Sequence, residues 1–270
     1  MANRPRPVTL PLRHEEDRRV PGPVGEIAVR IFRPAQESSA LLVYFHGGGW
    51  VLGNLDTHTA NCRLLAEQAG CVVMAVDYRE APEHHFPAAA DDAYAAAVWA
   101  VANAGSLDLD PARVAVGGES AGGNLAAVAC LMARARGGPK FRAQWLAYPV
   151  IDHNFDTLSY RELSQGYGLD LASMVWFWTH YLGPDGDGAH PYASPIRAES
   201  LAGLPPAVVT TCEFDVLRDE GRAYADRLRE AGVQVDYHCF EGANHAFLGS
   251  PVALARAGWA TIGALLRERL

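Results

Sequence analysis

The sequence predicts an α/β architecture, a mostly parallel sheet with helices on both faces, and two observations lead there. Short continuous apolar runs recur, at Leu41–Phe45, Val72–Val76 and Ala207–Thr211 among others. A strand buried on both faces reads this way, whereas one facing water on one side would alternate. Segments of helical character separate these runs, and alternating strand and helix is the pattern of a parallel sheet.

In chain order, Ile27–Phe32 and Leu41–Phe45 read as strands, Asn61–Gln68 as helix and Val72–Val76 as strand. Ala88–Ala102 is alanine-rich, but Asp91, Asp92 and Asn103 fall where a helix would expose them. Arg113–Val116 is the next strand and Gly122–Ala135 the next helix, stopped by Gly137-Gly138-Pro139. Strands Gln144–Tyr148 and Ala207–Thr211 follow, then helix Glu220–Ala231 ending at Gly232, strand Gln234–Cys239 and helix Val252–Arg269. One interval breaks the rhythm. Asp152–Pro206 is too long for a βα connection, carries no clear central strand and holds Met174-Val175-Trp176-Phe177-Trp178. It is expected to be a cap over the carboxyl edge of the sheet, with one face on the sheet and the other lining a pocket. The whole chain, 1–270, reads as one domain, with a short N-terminal arm over 1–20 and the cap insertion over 152–206.

Composition narrows the function classes. Apolar residues make up 49% of the 270, enough for a sizeable core, and 20% are charged. The net charge is -8 and Lys and Arg are scattered rather than massed, which argues against nucleic acid as a partner. The five cysteines are an odd number without a CxxC pair and read as buried thiols in a reducing compartment. The start of the chain lacks the apolar core of a signal peptide, and no apolar run approaches the ~18 residues that cross a bilayer. These features predict a cytoplasmic protein that does not enter membranes.

The chemistry centres on Gly118-Glu119-Ser120-Ala121-Gly122, between a buried strand and a helix. A G-x-S-x-G turn in that context is a nucleophile elbow, so tight that its flanks must lack side chains. A serine hydroxyl needs a base, itself oriented by an acid, and in this arrangement they follow in the order serine, acid, histidine. There are ten histidines, but only His245 lies in the loop between the last strand and the last helix; His238 is within the strand. Asp215 stands on the loop after Ala207–Thr211 and is the chosen acid, whereas Asp219 and Glu220 read as first-turn residues that favour the helix dipole. His46-Gly47-Gly48-Gly49-Trp50 follows a strand, where an HGGG-type motif supplies part of an oxyanion hole, with the N–H of Ala121 as the other donor. A glycine run can also be a plain loop or a phosphate nest, but no Lys-Ser/Thr pair follows it here. His46 reads as an organiser of that loop.

With these residues in hand, the chain resembles the hormone-sensitive-lipase-like (family IV) esterases of the α/β-hydrolase superfamily. The resemblance rests on HGGGW at 46–50, DYREAPEHHFPAAADDAY at 77–94, GGESAGGNLAA at 117–127, EFDVLRDEG at 213–221 and EGANHAF at 241–247, and runs from about Asp17 to the C-terminus. It implies carboxylester hydrolysis by Ser120, Asp215 and His245, with Gly48, Gly49 and Ala121 as oxyanion donors. It also implies a site without metal or cofactor, and an acyl pocket lined by Met174 and Phe177. Trp50, Leu217 and Phe247 are further candidates for an apolar substrate pocket. Four departures stand out: Glu119 where the family usually has Asp, Glu80 in place of Leu, Ala246 in place of Gly, and too few residues ahead of the match for the usual two N-terminal cap helices. The last is expected to leave the pocket more open.

The leading expectation is an esterase for small-molecule esters of short to medium acyl chains. A deacetylase or amidase acting on an acylated natural product would use the same machinery. A non-catalytic small-molecule receptor on this fold would have lost the histidine. The resemblance further suggests a monomer or a homodimer, with the sheet edge near Gln234–Cys239 as the candidate interface.

Overall fold

A computed structural model describes residues 12–270. Eight strands form one sheet in the order β1-β2-β4-β3-β5-β6-β7-β8. β1 (Leu12–Pro21) and β2 (Glu26–Pro34) make an antiparallel hairpin at one edge, and β2 runs antiparallel to β4 (Val72–Asp77). From β4 onward, through β3 (Leu41–Phe45), β5 (Val114–Glu119), β6 (Gln144–Ala147), β7 (Ala207–Phe214) and β8 (Val235–Asn244), neighbours are parallel.

Both faces are covered, as the continuous apolar runs require. Leu41, Val43 and Phe45 of β3 enter one core with α2 (Ala88–Asn103), α3 (Ala121–Ala135) and α6 (Arg218–Glu230). Leu42 and Tyr44 enter the opposite core with α1 (Leu55–Ala69) and α7 (Ala253–Arg269), where Trp145 and Trp259 are fully covered. Every residue of β3 is thus apolar because neither face meets water.

Three expectations change. Asp92, expected on the exposed face of its helix, is 1% exposed and pairs with Arg79 at 2.7 Å. The arm assigned to residues 1–20 divides: residues 1–11 lie outside those described, and Leu12–Pro21 is an edge strand. Its run of charges hid it, since an edge strand pairs on one side only and tolerates polar residues on both faces. Asp17 pairs with Arg30 on β2 at 2.6 Å. The helix expected at Asn61 begins at Leu55, because Asn54 caps it: the Asn54 side chain accepts the Thr57 N–H, and the Thr57 hydroxyl accepts the Asn54 N–H, both at 2.9 Å.

Residues 152–206 contain no strand. They hold α4 (Leu158–Leu163) and α5 (Leu171–Leu182), and their start is tied to α6 by Glu220, whose buried carboxylate accepts the Ile151 N–H at 2.7 Å. α5 leans on the loop after β3: Trp50 stacks on Tyr181 at 4.0 Å and meets Trp178 at a tilt, with centroids 4.8 Å apart.

Candidate active site

Three loops leave the carboxyl ends of β3, β5 and β8 and converge. β5 ends at Glu119, and Ser120 caps α3 with φ 55° and ψ -118°. A non-glycine residue held there stores roughly 1–3 kcal/mol of strain, so the surroundings must over-determine it. They do: the Ser120 N–H donates to the Ala147 carbonyl at 2.9 Å, while its own carbonyl accepts from Asn124 at 3.1 Å and Val150 at 3.2 Å. The elbow also needs Gly122. A Cβ there would stand 1.9 Å from the Phe45 carbonyl oxygen at the end of β3. The spacing of the pentapeptide is therefore a packing requirement between β3 and the start of α3.

His245 follows β8 directly. Its Nε2 lies 3.0 Å from Ser120 Oγ and its Nδ1 lies 2.7 Å from Asp215 Oδ2. Asp215 is 1% exposed, and its other oxygen accepts the Leu217 N–H at 2.9 Å. With Asp215 accepting, Nδ1 carries the proton and Nε2 is free to accept from the serine. The rival acids are engaged elsewhere. Asp219 accepts the Ser159 N–H at 2.7 Å, and Glu220 serves Ile151, with burial pushing its carboxyl well above the usual range.

The glycine loop is shaped by its neighbours. Gly48 and Gly49 take φ of 122° and 62°, and a Cβ on Gly49 would lie 2.1 Å from the Phe177 ring of α5. Ala121, the first residue of α3, has an N–H without an intrahelical acceptor. His46 is buried at the base of the loop, stacked on Tyr78 at 4.3 Å, with Nδ1 2.8 Å from the Gly47 carbonyl. Burial holds its pKa down at about 4, so a neutral ring donates that hydrogen bond.

Ser120, His245 and the glycine loop open on a cleft of about 510 Å³. Met174 and Phe177 line it, joined by Leu52, Val150 and Leu169. Thr57, His58 and Ser173 supply polar groups. The other three proposed pocket residues sit elsewhere. Trp50 has φ 62°, is 0% exposed and turns its indole into α5. Leu217 is wholly buried in the core beneath α6. Phe247 packs in the opposite core against Phe240, at 5.0 Å, and Tyr148. Sequence reasoning missed Tyr148, which lines the cleft from the end of β6; its place next to the elbow strand was the available signal. A larger polar cleft of about 990 Å³, lined by Arg13, Arg33 and Arg113, lies by the amino end of β5, away from Ser120.

Among the described residues no group of three or more His, Cys, Asp or Glu side chains is arranged to hold a metal ion. No helix among them is long and apolar enough to cross a membrane.

A family model described as alpha/beta hydrolase fold matches residues 42–249. Carboxylic ester hydrolase LipN of Mycobacterium tuberculosis is 49% identical over 239 residues, 86% of this chain and 64% of the relative's length. An arylesterase of Saccharolobus solfataricus is 41% identical over 245 residues, 90% of this chain and 79% of its own length. Among solved structures, a hyperthermophilic esterase from the archaeon Pyrobaculum calidifontis aligns with a TM-score of 0.91 and 43% identity, over 96% of this chain and 84% of that one. A thermostable esterase from Pseudomonas putida gives 0.91 and 40%, over 95% and 83%. The elbow, the glycine loop and this breadth of likeness lead to one conclusion: the chain belongs to the α/β-hydrolase family, among its hormone-sensitive-lipase-like carboxylesterases.

Proposed function

We propose that the protein is a carboxylic ester hydrolase for small-molecule esters with short to medium acyl chains, working through Ser120, His245 and Asp215. The observation that carries this reading is the Ser120–His245–Asp215 chain of contacts at 3.0 and 2.7 Å. In the first half-reaction His245 Nε2 takes the hydroxyl proton as Ser120 Oγ attacks the ester carbonyl. The N–H groups of Gly48, Gly49 and Ala121 receive the developing oxyanion. His245 then gives its proton to the leaving alkoxide, which departs as the alcohol and leaves an acyl-Ser120. In the second half-reaction His245 deprotonates a water that attacks the acyl carbonyl, and the proton returns to Ser120 Oγ as the acid leaves. Asp215 holds the imidazole in the right tautomer and balances the imidazolium.

Residues 152–206 act in this reading as the cap, and the apolar wall of Leu169, Met174 and Phe177 receives the acyl chain. All five cysteines are free thiols, which supports a reducing, cytoplasmic setting. β8 ends the sheet, so its outer edge is the surface through which a homodimer would form.

Hydrolysis of p-nitrophenyl acetate, butyrate and hexanoate tests the reading, with Ser120→Ala as the control. Turnover is expected for the wild type, with at least a roughly 1,000-fold loss of kcat in the variant. Full activity in Ser120→Ala, or no turnover of any of the three by the wild type, would refute it.

A further inference from the structure

Beside the nucleophile lies a buried carboxylate that the triad does not use. Glu119 ends β5, is 5% exposed, and spans the two strands that flank β5 in the sheet. Its Oε1 accepts from the Tyr44 hydroxyl on β3 at 2.6 Å and from the Asn61 amide on α1 at 3.3 Å. Its Oε2 accepts from the Tyr148 hydroxyl, just past β6, at 2.5 Å. A buried carboxylate is costly unless fully hydrogen-bonded, and these partners are neutral donors rather than a cation.

The Tyr148 end of this bridge leads back to the triad. Tyr148 adopts φ 34°, uncommon for a residue with a side chain, and its N–H donates to the Thr210 carbonyl at 2.6 Å. Its ring meets the His245 imidazole edge to face, with centroids 4.9 Å apart and planes at 66°. Phe247 stands on the ring as well, at 6.4 Å. Tyr148 is therefore held at its backbone, at its hydroxyl and on its ring, and that ring also packs against the imidazole. The hydrogen bond that Nδ1–H donates to Asp215 pins His245 at that one atom and leaves the imidazole able to swing; a fixed aromatic ring against it removes that freedom.

We propose that Glu119 and Tyr148 are positioning residues for His245: the carboxylate fixes the Tyr148 ring through its hydroxyl, and the ring holds the imidazole where Nε2 meets Ser120 Oγ. The proposal rests on the reading of His245 as the base. It accounts for a Glu at position 119, since the side chain must reach tyrosines on both sides of β5.

Tyr148→Phe and Tyr44→Phe form a matched test, because each removes one hydroxyl donor from the same carboxylate and only the first touches His245. The measurements are kcat and KM for p-nitrophenyl butyrate, the rate of Ser120 labelling by a fluorophosphonate, and the melting temperature. Tyr148→Phe is expected to lower kcat and the labelling rate about 10-fold with KM within about 2-fold, while Tyr44→Phe loses less than about 3-fold in kcat at a similar loss of melting temperature. Equal kcat losses in the two variants, an effect on KM alone, or wild-type kcat in Tyr148→Phe would each overturn the proposal. Should Tyr148→Phe fail to fold, Glu119→Gln carries the test: a kcat loss at unchanged KM supports it, and wild-type kcat overturns it. Absence of labelling in the wild type would overturn the hydrolase reading itself, and this proposal with it.

Discussion

Replacing Asp215 by Asn separates a carboxylate that orients the base from one that merely fills space. The two Asp215 oxygens have different partners, the Leu217 N–H at 2.9 Å and His245 Nδ1 at 2.7 Å. An amide has only one oxygen. Leu217 presents a fixed backbone donor, so the Asn oxygen must face it and the NH2 group must face His245. Nδ1 then has to accept, the proton moves to Nε2, and Nε2 donates to Ser120 instead of accepting from it. The wrong tautomer is expected to cost about 10,000-fold in kcat, or about 5 kcal/mol of transition-state stabilisation. Stability falls far less, by about 1–3 kcal/mol for the weakened buried hydrogen bonds. The assay is p-nitrophenyl butyrate hydrolysis over folded enzyme, with melting temperature recorded alongside. Asp219→Asn is the comparison: its carboxylate serves the Ser159 N–H and Arg218, so kcat should stay at the wild-type level. If Asp215→Asn kept more than about a tenth of wild-type kcat, or if Asp219→Asn showed the larger loss, the assignment of the acid would be wrong.

Gly49→Ala tests the glycine loop. Its φ of 62° and the 2.1 Å approach of the Phe177 ring leave no room for a Cβ, so the loop must move. The loss expected from displacing an oxyanion donor is about 100- to 1,000-fold in kcat, and the double variant Gly49→Ala/Phe177→Ala should recover part of it if the clash is the cause. Glu80 gives a pH-dependent prediction. Burial, with Asp77 and Glu83 nearby, raises its pKa to about 7 from 4.5, so the folded chain binds its proton more tightly than the unfolded chain does. The contribution of Glu80 to stability is therefore full below about 4.5 and lost as pH rises through about 7. Because the side chain is only partly buried and water screens it, the effect should be no more than about 1 kcal/mol. Urea unfolding of Glu80→Gln against wild type at pH 5 and pH 8 should show the variant gaining at pH 8; an equal difference at both values would contradict the shift.

How much was legible depended on whether the signal was local. Ser120 could be found because the elbow is written in adjacent residues, and the reason is steric: Gly122 sits against the Phe45 carbonyl oxygen. His245 and Asp215 could be chosen among many candidates because chain order decides which loops open at the carboxyl edge of a parallel sheet. β1 was not legible, since an edge strand with charges on both faces carries no period. The start of α1 was missed for a smaller reason, an Asn54–Thr57 cap in place of the commoner Ser or Thr with Glu.

The sequence by itself determined the alternating strands and helices, the tight turn at Ser120, the glycine loop and the order of the triad candidates. All of these depend on neighbouring residues or on order along the chain. Only the tertiary structure decided which way side chains on those loops face. Trp50 adjoins the glycine loop yet turns into α5, because its φ of 62° and the stacking surface of Tyr181 direct it there. Phe247 stands two positions after His245 yet backs Tyr148. Glu119, one residue from Ser120, answers to Tyr44 and Tyr148, brought to it from 75 and 29 residues away in sequence. Facing is set by backbone dihedrals and by partners from distant segments, and neither is a property of adjacent residues.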